Sequence, residues 1–127
     1  MKLILSLLLV TLVSPSLAPA RFADSRDEKL IQGTWRLDGN NDGHAWYLQW
    51  KFDHGKFTMI GYPPLRQEGS YRITKTGPGT LVLALYDQRG NFGTEDSEIG
   101  IAVDRRKDQL KIKGQGPFAR VIETSNN

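Results

Sequence analysis

The side chains of this 127-residue chain that could perform catalysis are few and poorly arranged for it. The chain has no cysteine, and its two histidines, His44 and His54, lack the H-x-x-x-H spacing of a metal site. It also lacks the Gly-x-Ser-x-Gly turn that presents a nucleophilic serine. The sequence therefore predicts a protein that is not an enzyme and that has no catalytic residue, no metal and no cofactor.

Two tyrosines are followed directly by a charged residue, and such pairs could move a proton in an enclosed site. These pairs are Tyr71 with Arg72 and Tyr86 with Asp87. Both pairs fall in segments with the residue pattern of β-strands. Because successive residues of a strand point to opposite faces, the two members of a pair cannot act in one cavity. We expect neither pair to form an active site.

Two acidic segments have the composition of a cation site. Residues 38–43 match the first half of an EF-hand loop, but the twelfth position of that loop would be Gln49 and not a bidentate glutamate. Four further carboxylates lie in or beside a glycine-containing loop: Asp87, Glu95, Asp96 and Glu98. A polar turn and solvated loop carboxylates are the expected structures, so no metal is assigned to either segment.

Aromatic residues provide the clearest indication of binding. Trp46, Trp50 and Phe52 recur at every second or fourth position and so share one face of a strand, and Phe57 follows the next turn. Such a group either fills a core or lines a cavity for an apolar ligand, and the sequence leaves both open. The candidate ligand-binding residues are Trp46, Trp50, Met59 and Tyr71.

Short alternating segments, separated by turn residues, predict the elements that would position these side chains. Eight such segments follow one another at intervals of about 8–12 residues. We expect the first over residues 30–37, then a turn over 38–43, and later a long loop over 87–96. Eight antiparallel strands joined by short hairpins close most simply into an up-and-down barrel. The predicted fold class is therefore all-β, with a single eight-stranded antiparallel barrel.

The first of these segments resembles the opening strand of the calycins, which include lipocalins, fatty-acid-binding proteins and avidins. Residues 33–35 match the Gly-x-Trp of that superfamily, and Arg120 matches the late arginine that packs across the tryptophan ring. The closer resemblance is to small bacterial secreted lipocalin-like proteins, whose Phe-x-x-Gly and Gly-x-Tyr segments correspond to residues 52–55 and 69–71. The resemblance implies a lipocalin-like barrel plugged at one end by Gly33, Trp35 and Arg120.

Two functions from different classes follow from such a barrel. The first is the binding of a small apolar molecule inside it, because eight strands leave room for side chains or for one small ligand. The alternative is a filled barrel that acts as a protein-interaction module. One form of it resembles small periplasmic barrels that inhibit secreted metalloproteases through an N-terminal segment, here residues 21–29. Those inhibitors carry a disulfide, which this chain lacks, so that form is the weaker one.

The beginning of the chain has the three parts of a secretory signal peptide. Lys2 precedes an apolar stretch over residues 3–13, and residues 18–20 read Ala-Pro-Ala. We predict a signal peptide over residues 1–20, cleaved near Ala20, and a secreted or periplasmic protein. The remaining boundaries are a polar lead-in at 21–29, either ragged or with a helical turn capped by Ser25, a barrel at 30–123 and a C-terminal tail at 124–127.

The charge balance gives no sign of a charged macromolecular partner. The net charge is +3, and the one basic cluster, residues 105–107, lies between two strand-like segments, as a solvated turn would. We therefore predict no nucleic-acid partner and no stable membrane insertion after cleavage. The expected partner is a small hydrophobic ligand, and a protein partner stays open.

Overall fold

A computed structural model of the protein describes residues 25–122, so the predicted signal peptide and C-terminal tail lie outside the described residues. The prediction of an eight-stranded antiparallel barrel is confirmed: the strands pair in chain order and close on themselves. The elements are helix α1 (Ser25–Ile31) and strands β1 (Gly33–Asn41), β2 (His44–Asp53), β3 (Lys56–Tyr62), β4 (Leu65–Gly77), β5 (Thr80–Gly90), β6 (Ser97–Asp104), β7 (Gln109–Ile112) and β8 (Gln115–Arg120). None of the described residues forms a helix of the length and apolarity needed to span a membrane.

The first strand differs in its bounds from the sequence-based expectation. Leu30 and Ile31 end α1 and do not begin β1, and β1 continues to Asn41 through most of the expected turn. Asp42 and Gly43, with φ of 51° and 84°, form a two-residue turn of the kind that matches the twist of a hairpin. Because two residues are enough to reverse the chain, the rest of that polar segment, residues 38–41, belongs to β1.

The expected loop over 87–96 is shorter in the structure because β5 extends to Gly90. Ser70 pairs with Tyr86 and Glu68 pairs with Arg89, so two residues of β5 lie opposite the single residue between that pair in β4. This β-bulge contains Asp87, whose φ is 51°. The extra residue shifts the alternation of β5 by one position, and the buried residue after Leu85 is therefore Gln88.

The two ends of the barrel differ in how they are covered. Helix α1 precedes β1 at one end, which we call the closed end; the turns at residues 54–55, 78–79 and 105–108 lie there too. The opposite end, called the open end, has the turns at 42–43, 63–64 and 113–114 and the loop at 91–96. Large apolar side chains fill the closed end, and the fully buried ones include Ile31, Phe52 and Phe118.

Trp35 and Arg120 lie together at the closed end, where β1 pairs with β8. The Trp35 ring is 1% exposed, and its N–H donates a hydrogen bond to the carbonyl of Ile31 at 2.8 Å. The Arg120 guanidinium lies 4.2 Å from the centroid of the Trp35 ring. It also donates hydrogen bonds to the carbonyl of Gln32 at 2.6 Å and to the carboxylate of Asp108 at 2.8 Å. The contacts of Arg120 attach the last strand to β1, to the link between α1 and β1, and to the β6–β7 turn.

Gly33 is the residue that allows this close approach. Its φ is +115°, which side-chain-bearing residues rarely adopt, and a Cβ there would lie 2.8 Å from Nη1 of Arg120. The Gly-x-Trp spacing therefore serves the Arg120 side chain in two ways. Gly33 leaves room for the guanidinium because it has no side chain, and Trp35 supplies the aromatic ring against which the guanidinium packs.

A cavity at the open end of the barrel

A cavity of about 500 Å³ lies inside the barrel and reaches the open end. Strands β2 to β8, the loop at residues 91–96 and the β7–β8 turn all contribute to it. Its wall is apolar over eight residues: Leu48, Trp50, Phe57, Met59, Leu65, Leu85, Ile99 and Ile112. The remaining lining residues are Gln67, Gln88, Phe92, Glu95, Asp96, Ser97, Lys113 and Gln115. The cavity has the size and the mainly apolar wall of a small-molecule site.

Of the four candidate ligand-binding residues, Trp50 and Met59 line this cavity and face each other across a strand pair. Trp50 is held by aromatic neighbours: its ring centroid is 5.7 Å from that of Phe52 and 5.8 Å from that of Phe57. Trp50 is 5% exposed, so the side chain is fixed by packing before any ligand binds.

The structure does not bring Trp46 into the lining of the cavity. Its ring lies flat against Gly39, its partner on β1, where a Cβ would overlap the ring. The indole N–H of Trp46 is sealed from solvent and has no hydrogen-bond partner among the described residues. Trp46 therefore shares the inward face of β2 with Trp50 but packs against β1 near the rim.

Tyr71 lies at the closed end, away from the cavity. Its ring is 3% exposed and meets the edge of Phe52, with centroids 5.4 Å apart. The Tyr71 hydroxyl accepts a hydrogen bond from Gln32 at 2.8 Å and donates one to the carboxylate of Glu28 at 3.1 Å. The amide oxygen of Gln32 accepts from the backbone N–H of His54 at 2.9 Å. This network joins α1 to the base of the barrel.

Burial raises the pKa of Tyr71 to about 12, and the nearby Glu28 carboxylate adds to the shift. The ordinary value is 10.0, so between these two pH values the folded state holds a proton that the unfolded chain releases. We expect stability to be unaffected by Tyr71 below pH 10 and to fall as the pH rises toward 12. Urea unfolding across this interval measures the loss. Tyr71→Phe should flatten the profile, and an equally steep decline in that variant would contradict the assignment.

The cavity wall contains two buried glutamines that the sequence pattern does not indicate. Gln67 is 3% exposed and Gln88 is 8% exposed, and the Gln67 amide donates to the Gln88 amide oxygen at 3.2 Å. Gln67 also bonds the loop at 91–96: it donates to the carbonyl of Gly93 at 2.9 Å and accepts from the N–H of Phe92 at 3.0 Å. The polar sequence around Gln67 carries no sign of burial, and the inward position of Gln88 depends on the bulge.

The rim of the cavity is exposed and charged. Glu95 and Asp96 come from the loop at 91–96, and Lys113 comes from the β7–β8 turn. Phe92, at 65% exposure, is among the largest apolar side chains that face solvent in the described residues. The inner part of a molecule bound in the barrel would therefore contact the apolar wall, and its outer end would lie beside the positively and negatively charged residues of the rim.

The other candidate chemistry from the sequence is dispersed in the structure. Within residues 25–122, no three histidine or acidic side chains are grouped so that they could hold a metal ion. Asp38, from the EF-hand-like segment, forms an ion pair with Arg36 at 3.1 Å. Arg72 lies over the ring of Tyr86, 5.1 Å from its centroid, and so is not directed toward Tyr71.

The basic segment at residues 105–107 is an exposed turn between β6 and β7. The backbone N–H groups of Arg106 and Lys107 both donate to the Asp104 carboxylate, at 3.1 and 3.2 Å. The segment therefore has the local hydrogen bonding of a tight polar turn.

The closed barrel with its up-and-down strand order is compatible with a calycin-like fold. Comparison of the chain with protein-family models, with curated proteins and with solved structures gave no match. The fold and the geometry of the cavity are therefore the basis for a functional proposal.

Proposed function

We propose that this protein is an exported, non-enzymatic, lipocalin-like protein that binds a small, mostly apolar molecule inside its barrel. The observation that carries the proposal is the cavity of about 500 Å³ with nine apolar lining residues, eight in its wall and Phe92 at its rim. Barrels of eight strands are either filled by their own side chains or hold one small ligand, and a cavity of this volume favours the second class.

The distribution of packing in the barrel supports the same proposal. The closed end is filled by Trp35, Phe52 and Phe118, and α1 adds the buried Ile31. Within residues 25–122 the open end has no comparable plug, although Trp50, Phe57 and Met59 supply large apolar surfaces around the cavity. Removing a ligand's apolar surface from water contributes about 25 cal/mol per Å², which is the driving force we propose for binding.

Export and the absence of catalysis are part of the proposal on separate grounds. Export rests on the signal-like sequence of residues 1–20. The non-enzymatic role rests on the lack of a cysteine nucleophile, of a Gly-x-Ser-x-Gly motif and of a metal-type histidine spacing. Native mass spectrometry could detect an apolar molecule that co-purifies with the protein. If that molecule is not chemically altered by the protein, the result would support both binding and the non-enzymatic role. Steady turnover of that molecule by pure protein would contradict the non-enzymatic role.

Filling the mouth of the cavity should block binding without unfolding the barrel. Leu65 is half-buried and lines the cavity, so Leu65→Trp adds an indole there. We expect the affinity for the uncharged apolar dye Nile red to fall at least about tenfold, which corresponds to about 1.4 kcal/mol. Dye fluorescence during titration measures the affinity.

The matched control is Ile73→Trp, because Ile73 is also half-buried against the core but does not line the cavity. This variant should bind Nile red as the wild type does, with an unchanged urea midpoint serving as the check of folding for both variants. Failure of the wild type to bind the dye, or equal losses in both variants, would count against a ligand site in the barrel.

A further inference from the structure

The buried part of the cavity wall has very few polar groups. Of the described lining residues that are buried, only Trp50, Gln67 and Gln88 have a nitrogen or oxygen atom in the side chain. A ligand that enters the barrel can therefore form hydrogen bonds with the buried wall only through these three side chains, apart from the backbone. The kind of ligand that the wall can recognise depends on which polar atoms of these side chains are not already hydrogen-bonded within the protein.

The donors of the two glutamines are already used. A side-chain amide has two N–H donors. Those of Gln67 are donated to the Gln88 amide oxygen at 3.2 Å and to the carbonyl of Gly93 at 2.9 Å. Those of Gln88 are donated to the carbonyl of Glu95 at 2.7 Å and to the hydroxyl of Ser97 at 3.1 Å. Neither amide has a donor left for a ligand.

The indole N–H of Trp50 is the remaining side-chain donor of the buried wall. Trp50 is 95% buried, as its exposure is 5%, and its N–H has no acceptor in the described part of the chain. Among the described residues that are not exposed, the only side-chain nitrogen or oxygen both sealed and unpaired is Nε1 of Trp46. Nε1 of Trp50 therefore keeps some accessible surface, and because Trp50 lines the cavity we infer that this surface faces the cavity.

We propose that the Trp50 N–H is the recognition point for a ligand with an apolar body and one neutral acceptor oxygen: a carbonyl, ester or hydroxyl oxygen. This inference rests on the proposed function and narrows its ligand class. A buried donor that is left without an acceptor carries a free-energy penalty, so a ligand that supplies the acceptor is favoured over a pure hydrocarbon of the same shape.

The acceptor is neutral because none of the buried lining residues in the described part of the chain is a cation that could balance a carboxylate. The charged lining residues, Lys113, Glu95 and Asp96, all lie at the exposed rim, and together they carry one more negative charge than positive. A carboxylate placed beside Trp50 would lose its hydration and receive a single neutral hydrogen bond in return. A neutral oxygen loses far less hydration and receives the same hydrogen bond.

The test compares three probes with equally long chains: methyl decanoate, decane and decanoate. We expect Trp50→Phe, which keeps an aromatic ring and removes the N–H, to weaken methyl decanoate binding about three- to tenfold, the value of one neutral hydrogen bond. Decane cannot accept a hydrogen bond, so its change in affinity reports the change in packing alone, and the loss for methyl decanoate should exceed that change by about three- to tenfold. Decanoate should bind the wild type more weakly than methyl decanoate does. Competition with Nile red measures all three affinities.

Trp46→Phe is the matched control, because it removes an indole N–H that does not line the cavity. This variant should bind methyl decanoate as the wild type does. An NMR readout is independent of affinity: the indole N–H signal of Trp50, assigned by its loss in Trp50→Phe, should move downfield with methyl decanoate and not with decane.

The outcomes separate this inference from the proposed function. If neither Nile red nor any of the three probes binds the wild type, both are overturned. The recognition point alone is overturned by a different result. In that result Nile red and decane bind the wild type, methyl decanoate does not move the Trp50 signal, and Trp50→Phe binds methyl decanoate as tightly as the wild type does. Preference of the wild type for decanoate would overturn the neutral-acceptor class.

Discussion

Replacing Trp35 with alanine is expected to lower the free energy of unfolding by about 3–5 kcal/mol, as removal of a large buried aromatic side chain does. The ring is 1% exposed, and the Arg120 guanidinium lies 4.2 Å from its centroid. The loss of the ring also leaves the carbonyl of Ile31 without its indole donor. Urea denaturation, monitored by circular dichroism, measures the change.

Trp46→Ala is the matched control for this substitution. Trp46 is only half-buried, and its N–H makes no hydrogen bond among the described residues, so we expect a clearly smaller loss than at Trp35. Equal losses at the two positions, or a loss below about 1 kcal/mol at Trp35, would show that the closed end does not depend on this ring.

The second large effect is expected at the glutamine pair in the cavity wall. Gln67→Met keeps a long side chain and removes every hydrogen bond of the Gln67 amide. The N–H of Phe92 and the amide oxygen of Gln88 both lose their partner. Since each buried polar group left unpaired costs about 1–3 kcal/mol and the loop can partly relax into water, we expect a loss of about 2–3 kcal/mol.

This substitution should also release the loop at residues 91–96 from the barrel wall. Amide hydrogen exchange at Phe92 should therefore accelerate in Gln67→Met, while exchange in β1 and β2 follows only the change in global stability. Gln49→Met is the control, because Gln49 is half-buried on β2 and makes no side-chain hydrogen bond among the described residues; it should stay within about 0.5 kcal/mol of the wild type. Unchanged exchange at Phe92 would argue that other contacts hold the loop.

The barrel itself was predictable from residue order. Alternation over segments such as 46–52 and 81–85 marks strands with one buried face, and short turn sequences between them leave hairpins as the simplest connections. Eight such strands avoid an open edge by closing. The pairing of Trp35 with Arg120 could be expected only from the resemblance to calycins, because the two residues are far apart in the chain.

The candidate site was predictable only in part. Trp50 and Met59 line the cavity, whereas Tyr71 lies at the closed end and Trp46 packs on Gly39. Alternation tells which face of a strand a residue occupies, but it does not tell how far along the barrel axis that residue lies. The position of a residue along the barrel axis follows from the register between neighbouring strands, and that register is set by contacts between distant segments.

The glutamine pair shows the same limit at the level of single residues. Counting alternate positions along β5 from Leu85 would place Asp87 inside, yet the bulge inserts one residue and turns Gln88 inward instead. A bulge is a property of two paired strands, so no pattern within one strand reports it. Local sequence period is enough to specify strands and closure. The position of a polar group inside the barrel depends on strand register, which exists only after the chain has folded.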